Sequence, residues 1–268
     1  MTQIDLRLCR SLLFLPASNP RAIEKARGLA ADMIVLDLED AVKPGDKGAA
    51  RIGAAEAVRI GFGGRPVAIR VNMPGRWHEA DVATVGGSAA DYALLPKAES
   101  AEAVAALRRA VGKPVLAMIE TAVGVLAAPG IARAAAGLIA GTNDLSADLA
   151  IPPDEGRAGL AYGLQATLIA ARAAGIAAYD GVYNRLDDEA GLIRQCEEGR
   201  GFGFDGKSLI HPNQIETANR IFGPSETEVE AARRVIAAAS GGAERHEGRM
   251  IEALHVDQAK ALLAKARL

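Results

Sequence analysis

The sequence predicts an α/β protein of the (β/α)8 class, a TIM barrel, with a C-terminal helical extension. Short apolar runs alternate with helical stretches, which is typical of parallel strands buried on both faces. Eight such strand–helix units can be counted, and a chain of 268 residues is long enough for a closed barrel. No Gly-rich dinucleotide-binding loop follows the first strand, which favours the barrel over the alternative, an open doubly wound sheet.

The predicted strands share a pattern in which an apolar run ends in a polar or charged residue. They span residues 12–16, 34–38, 67–71, 92–96, 115–120, 137–141, 176–180 and 206–210. Because ligands bind at the carboxyl ends of parallel strands, these polar ends predict the position of the site.

Helix signals occur between the strands. Residues 20–30 follow an Asn19 cap and begin with Pro20, residues 101–111 follow Ser100, and residues 155–174 stop at Gly175. Beyond the eighth strand, residues 212–222 and 225–239 are predicted to be helical. A polar, Gly-containing hinge (240–249) and an amphipathic segment complete the chain. We therefore divide it into a barrel domain of residues 1–223 and a helical extension of residues 224–268. The extension must pack either on its own barrel or on a neighbouring subunit, and we expect the neighbouring subunit.

Composition excludes several classes of function. A net charge of −2 gives no electrostatic basis for binding nucleic acid or an anionic membrane, and few aromatic residues are available for stacking on bases. Cys9 and Cys196 lie far apart and fit no metal or redox spacing, so we expect reduced, buried thiols. The N-terminus lacks the apolar core of a signal peptide and no run reaches transmembrane length, so we expect a cytoplasmic protein.

Two acids, Glu120 and Asp144, end the predicted fifth and sixth strands. Carboxylates on consecutive strand ends enter the same rim and form half of a Mg²⁺ coordination shell, which substrate oxygens and water would complete. The alternative is a pair of solvated or loop-capping acids, since structural charges are common.

Arg70 lies inside an apolar strand, where an unpaired guanidinium is seldom buried. It could bind a carboxylate or thioester oxygen and stabilise an enolate, or it could form an internal ion pair with Asp37, Glu39 or Asp40. Strand alternation places Asp37 and Glu39 on one side and Asp40 on the other. These acids would orient Arg70 or a metal-bound water, or else cap the next turn.

Other polar residues are weaker candidates. Lys97 could form a Schiff base, but the proposed metal site makes an imine mechanism unnecessary, so we expect Lys97 to be ion-paired. Arg21 and Lys25 share a helical face and could contact phosphates, although an exposed basic face is the ordinary expectation. Asn72 and Met118 are expected to shape the substrate pocket.

Eight ordered motifs resemble the citrate lyase β-subunit-like branch of the HpcH/HpaI aldolase superfamily. They are RSLLFLPASNP (10–20), ADMIVLDLEDAV (31–42), IRVN (69–72), LLPKAES (94–100), IETAVGVL (119–126), GTNDLSADL (141–149), GFDGKSLIHPNQI (203–215) and GRMIEAL (248–254). The resemblance implies a TIM barrel in trimers or hexamers. It also implies a Mg²⁺-dependent lyase for 3-hydroxyacyl thioesters of coenzyme A or acyl carrier protein, such as malyl-, citramalyl- or citryl-CoA.

The same resemblance implies roles for individual residues. Glu120 and Asp144 would bind the metal, and Arg70 would bind the substrate and its enolate. Asp37, Glu39 and Asp40 would surround Arg70 and the metal-bound waters. The resemblance places Arg21, Lys25 and the loop of residues 15–20 near the coenzyme phosphates and the pantetheine entrance.

Three positions depart from the family pattern. Ala17 replaces a Gly in the first loop, and Asn143 stands where thioester lyases commonly carry Glu. Glu252 stands where relatives often supply an Asp from the neighbouring subunit as acid or base. Asn143 leans toward the aldolase branch of the superfamily. Two alternatives therefore stay open beside the thioester lyase: a metal-dependent aldolase for free 4-hydroxy-2-oxo acids, and a carrier-protein-dependent β subunit of a larger lyase complex.

Overall fold

Eight parallel strands close into a barrel in the computed structural model, which describes residues 5–152, 156–239, 244–246 and 249–266. The strands are β1 (Ser11–Pro16), β2 (Met33–Asp37), β3 (Val67–Arg70), β4 (Tyr92–Leu95), β5 (Val115–Ile119), β6 (Gly137–Ala140), β7 (Ala177–Asp180) and β8 (Gly206–Leu209). Neighbours pair in chain order, and β8 pairs with β1. The predicted TIM barrel is confirmed, and every strand boundary lies within one residue of its predicted position.

Helices surround the barrel. They are α1 (Pro20–Arg27), α2 (Lys47–Ile60), α3 (His78–Gly87), α4 (Ala101–Val111), α5 (Ala122–Ala134), α6 (Thr142–Asp148), α7 (Ala161–Ala173) and α8 (Glu189–Phe202). Asn19 caps α1 by accepting the Ala22 N–H, and Ser100 caps α4 by accepting the Ala103 N–H. The predicted helix of residues 155–174 begins later, as α7, and residue 155 lies outside the described residues.

Strand alternation divides the buried side chains into two layers. Outward residues such as Ile34 and Ile69 pack under the helices, whereas inward residues such as Val35, Ala68 and Leu116 fill the barrel. Burying these apolar surfaces is the main favourable contribution to folding. Charged side chains such as Arg70 and Glu120 enter the interior at the carboxyl ends of the strands, and this rim is where the site is built.

The C-terminal extension contains more than helices. Helix α9 (Ile215–Phe222) follows β8 and ends the barrel domain. The extension comprises α10 (Glu226–Ala238), β9 (Glu244–His246), β10 (Arg249–Ile251) and α11 (Ala253–Lys265). Strands β9 and β10 pair antiparallel, so the helical extension also carries two short strands within the segment predicted as a hinge (240–249). Residues 240–243 and 247–248 of the predicted hinge lie outside the described residues.

The last helix packs on its own chain. Helix α11 lies against α10, and Lys265 Nζ donates a hydrogen bond to the Asp205 carbonyl beside the N-terminal end of β8. This end of the barrel is opposite the rim. Packing of the extension on a neighbouring subunit stays a prediction.

Two further expectations bear on the chain as a whole. Cys9 and Cys196 are free and buried, and burial raises the pKa of their thiols to about 12 and about 11. Within the described ranges, no helix combines the length and the apolar character needed to cross a membrane.

Candidate active site

A cavity of about 370 Å³ opens at the rim of the barrel, among the loops that follow the strands. Its walls come from nearly every strand and are formed by Phe14, Pro16, Asp37, Asp40, Ala41, Arg70, Met118, Glu120, Ala140, Gly141, Thr142, Asn143, Asp144, Val182, Ser208 and Ile210. The structure thus brings six of the residues singled out from the sequence to one cavity: Asp37, Asp40, Arg70, Met118, Glu120 and Asp144.

Glu120 directly follows β5 and is 1% exposed. Its Oε1 accepts the backbone N–H of Lys97 at 2.7 Å, whereas Oε2 is buried and has no hydrogen-bond partner among the described residues. Burial, followed by the charge of Asp144, raises the pKa of Glu120 above its ordinary value. A buried carboxylate oxygen without a donor is costly, so this atom is suited to a cation or a substrate proton.

Gly141 makes room for that carboxylate. A Cβ atom at this position would lie 2.2 Å from Glu120 Oε2 and 2.3 Å from Glu120 Cβ. Real Cβ atoms do not approach other atoms so closely, so any side chain here would displace Glu120.

The sequence predicted Asp144 at the end of the sixth strand, but the residue lies in the first turn of α6. Its side chain is 36% exposed, and Oδ1 lies 3.2 Å from Lys97 Nζ. The same ammonium lies 3.5 Å from Glu39 Oε1, which agrees with the expected ion pair of Lys97. Burial alone would lower the pKa of Lys97, but Glu39, Glu120 and Asp144 together raise it to about 12.

Arg70 is held by Asp37 in a bidentate pair. Arg70 Nε and Nη2 each donate to one Asp37 oxygen at 2.6 Å, and the same oxygens accept the backbone N–H groups of Glu39 and Ala41. The internal ion pair that was the alternative for Arg70 is therefore present, yet the guanidinium also lines the cavity. With both oxygens saturated, Asp37 acts by orienting Arg70 and has no free lone pair aimed at a ligand.

The third guanidinium nitrogen of Arg70 faces the remaining acids. Nη1 lies 3.0 Å from Glu39 Oε2 and 3.8 Å from Asp40 Oδ2, and the Glu39 contact is an ion pair without an aligned hydrogen bond. All three acids surround Arg70, because β2 ends at Asp37 and strand alternation does not extend to Asp40. Burial raises the pKa of Glu39 to about 7, against the lowering effect of Arg70.

Asn72 does not reach the cavity. Its amide nitrogen donates to the Leu38 carbonyl and to Asp81 Oδ2, while its oxygen accepts from Lys47 Nζ at 2.7 Å. Asn72 therefore fastens the β3 loop to the β2 loop and has no amide hydrogen left for a substrate. This geometry disfavours its predicted role in substrate binding.

Three other predicted residues also lie away from the cavity walls. Arg21 and Lys25 are exposed on α1, and no ion pair joins either one to another described side chain. Glu252 is exposed at the start of α11, where its backbone N–H donates to His255 Nδ1. Glu252 cannot be assigned to the cavity of its own chain.

Sequence reasoning missed Ser208 and Phe14. Ser208 is buried on β8, lines the cavity, and its hydroxyl has no partner in the described part of the chain. The ring of Phe14 lies 5.6 Å from the guanidinium carbon of Arg70, within range of a cation–π interaction. Alternation along the motif GKSLI was the available signal, because it places Ser208 on the face opposite Lys207.

The donor set fits a hard divalent cation. Glu120 Oε2 is buried without a donor, and Asp144 faces the same cavity. Within the described ranges, no three Asp, Glu, His or Cys side chains converge as a metal site, so the protein would supply two ligands. Mg²⁺ is commonly held by one or two carboxylates and completed by water and substrate oxygens.

Comparison with known proteins identifies similar chains. The family described as HpcH/HpaI aldolase/citrate lyase matches residues 10–212, and the one described as C-C_Bond_Lyase of the TIM-Barrel fold matches residues 163–268. A (3S)-malyl-CoA thioesterase of Cereibacter sphaeroides is 46% identical over 96% of this chain and 94% of its own length. The citrate lyase subunit beta of Leuconostoc mesenteroides is 35% identical over 90% of this chain and 86% of its own.

A solved structure is also similar. It is CitE from Mycobacterium tuberculosis in complex with magnesium, acetoacetate and coenzyme A. It has a TM-score of 0.82 and 34% identity, and the match covers 98% of this chain and 100% of that one.

Proposed function

Because the chain belongs to the HpcH/HpaI aldolase/citrate lyase family, we propose that it is a Mg²⁺-dependent carbon–carbon lyase for 3-hydroxyacyl thioesters. Its substrate would be a compound such as malyl-, citramalyl- or citryl-CoA, cleaved to or formed from an acyl thioester and a 2-oxo acid. The observation that carries the proposal is the pair formed by the unpartnered Glu120 Oε2 and the oriented Arg70 in one cavity. The CitE structure described as a complex with magnesium and coenzyme A supports the same ligands here.

Glu120 and Asp144 would hold the cation. When bound, Mg²⁺ would supply positive charge that lowers the pKa of the substrate hydroxyl, whose proton would pass to water. As the C–O bond becomes a carbonyl, the bond to the thioester α-carbon breaks and its electron pair forms a thioester enolate. Arg70, fixed by Asp37, would bind the negative oxygen of that enolate through its cavity-facing side.

The enolate carbon must then receive a proton. We infer that Glu252 of the partner subunit supplies it, because Glu252 of the same chain lies outside the cavity. Met250 and Leu254, on either side of Glu252, are 64% and 50% exposed. Leu126 and Tyr162, on α5 and α7, are similarly exposed. Apolar surfaces of this kind support packing between subunits.

Subunit mixing tests that inference. Arg70→Ala and Glu252→Ala variants, each inactive alone, should regain part of the activity when their subunits are exchanged, because some sites would combine an intact Arg70 with an intact Glu252. No recovery in exchanged oligomers would refute a shared site. Wild-type activity in the unmixed Glu252→Ala protein would show that this carboxylate is not needed.

Thioester hydrolysis is a second candidate, favoured by the relatives named (3S)-malyl-CoA thioesterase at 45–46% identity. The two reactions give different products from (3S)-malyl-CoA. Carbon–carbon cleavage gives glyoxylate and acetyl-CoA without a free thiol, whereas hydrolysis gives malate and a free thiol.

The decisive experiment is to assay glyoxylate and free thiol together, with Mg²⁺ and with EDTA. We expect Mg²⁺-dependent glyoxylate release; thiol release without glyoxylate would establish hydrolysis instead. Cleavage of free 4-hydroxy-2-oxo acids but of no thioester would select the aldolase alternative. Activity on the coenzyme A ester alone would exclude strict dependence on a carrier protein.

A further inference from the structure

Lys97 lies where the acids of the rim meet. It follows β4, and its φ of 43° is in the left-handed region, which non-glycine residues adopt at an energetic cost. This conformation aims its backbone N–H at Glu120 Oε1, 2.7 Å away. Backbone strain at a site is a reason to ask what the residue does there.

The side chain of Lys97 contacts two further acids. Its ammonium lies 3.2 Å from Asp144 Oδ1 and 3.5 Å from Glu39 Oε1, and it is 29% exposed. One residue therefore contacts all three carboxylates, Glu120 through the backbone and the other two through charge. Among the described side chains, Lys97 is the sole cation that contacts Asp144, and it shares Glu39 with Arg70.

We propose that Lys97 is a built-in counter-cation that occupies Asp144 in the metal-free enzyme and leaves it when Mg²⁺ binds. The inference rests on the proposed metal site at Glu120 and Asp144. An ammonium and a divalent cation repel each other strongly if both contact one carboxylate. Binding of the ion is therefore coupled to movement of the Lys97 side chain.

The backbone and the ammonium of Lys97 have different roles at the site. The N–H bond to Glu120 does not depend on the position of the ammonium, so the strained backbone keeps one metal ligand in place during the exchange. The ammonium reduces repulsion between Glu39 and Asp144 while the metal is absent. Lys97 thus stabilises the metal-free site and lowers its affinity for Mg²⁺.

Calorimetric titration of the metal-free oligomer with Mg²⁺ at pH 8 tests the proposal. The variants are Lys97→Met, which removes the charge, and Lys97→Arg, which keeps it; both have a Cβ and carry the same backbone strain. Lys43→Met is the matched control. Lys43 is exposed after β2, and within the described residues its side chain forms no ion pair with Glu39, Glu120 or Asp144.

We expect Lys97→Met to lower the Kd for Mg²⁺ about tenfold, since two partly exposed ion pairs no longer have to be broken. Lys97→Arg and Lys43→Met should stay within about threefold of the wild-type value. In EDTA, Lys97→Met should melt at a lower temperature than the wild type, and saturating Mg²⁺ should close most of that gap.

The outcomes separate this inference from the function on which it rests. Wild-type protein that binds no Mg²⁺ would overturn both. Wild-type binding with an unchanged or weaker affinity in Lys97→Met would overturn the counter-cation inference alone. Equal tightening in Lys43→Met would also overturn it, because the effect would then be one of net charge and not of the contact with Asp144.

Discussion

Replacing Gly141 by alanine should damage the metal site without touching a charged group. The new Cβ would lie 2.2 Å from Glu120 Oε2 and 2.3 Å from Glu120 Cβ, whereas carbon atoms in contact are normally about 3.5–4.0 Å apart. Rotating the carboxylate relieves the first clash but not the second. The backbone of Glu120 or of Gly141 must therefore move by more than about 1 Å.

The magnitude follows from overpacking in a close-packed interior. Such a clash costs about 1–3 kcal/mol, and the hydrogen bond from the Lys97 N–H to Glu120 is lost in addition. For a domain of this size, the unfolding midpoint should fall by roughly 5–10 °C. Because Glu120 is displaced, the Kd for Mg²⁺ should also rise by at least about tenfold.

Thermal unfolding and Mg²⁺ calorimetry measure the two effects on the same sample. Gly201→Ala is the matched control: Gly201 is exposed on α8 and its Cβ would meet nothing within 4 Å. That substitution should be neutral or stabilise the helix by about 0.5–1 kcal/mol. A Gly141→Ala protein with wild-type melting and wild-type Mg²⁺ affinity would refute the placement of Glu120 against Gly141.

Three further predictions concern buried charges. Asp37→Asn keeps the shape of the side chain but weakens its pair with Arg70. The kcat/KM for thioester cleavage should therefore fall about 100-fold, while the affinity for Mg²⁺ changes little. An unchanged kcat/KM would contradict the orienting role of Asp37. Burial raises the pKa of Glu39 from 4.5 to about 7, so the native state binds the extra proton and stability contributed by Glu39 falls as pH rises through that window. In EDTA, the free energy of unfolding of Glu39→Gln relative to wild type should therefore grow by about 2–3 kcal/mol between pH 4.5 and 8. Chemical denaturation measures this difference, which would stay constant if Glu39 titrated normally. Asp180→Asn leaves the fully buried ammonium of Lys207 without its carboxylate and should cost about 3–5 kcal/mol of unfolding free energy in urea titrations, more than the double variant with Lys207→Met; a loss below about 1 kcal/mol would contradict a buried ion pair.

The sequence allowed the strands to be predicted because their apolar runs are short and bounded by clear polar residues. The same rule located Glu120, which directly follows β5. It placed Asp144 one element too early, because β6 ends at Ala140 and the chain turns into α6 before the carboxylate appears. Strand ends predict the rim, but the loop conformation decides where each side chain lies.

Long-range partners explain the predictions that the geometry disfavours. Asn72 follows a strand, as a substrate-binding residue would, but Lys47 and Asp81 occupy its amide. Nothing in the local sequence near Asn72 shows that these partners will be adjacent. The buried pair of Asp180 and Lys207 has the same origin, because the two residues face each other only through the register of β7 and β8.

The charges at the rim also imply an order of binding. Five carboxylates contact Arg70 or Lys97 at the rim: Asp37, Glu39, Asp40, Glu120 and Asp144. With five negative and two positive groups, the formal charge of this cluster is −3 when every acid is ionised. Burial raises the pKa of Glu39 and of Glu120, against the lowering effects of Arg70 and of the Lys97 N–H, so full ionisation of the cluster is unfavourable without another cation. A substrate that carries its own carboxylate would meet this excess of negative charge in the metal-free enzyme. Binding of the divalent cation should therefore precede binding of the substrate, and substrate affinity should depend on Mg²⁺ even in variants whose chemistry is blocked.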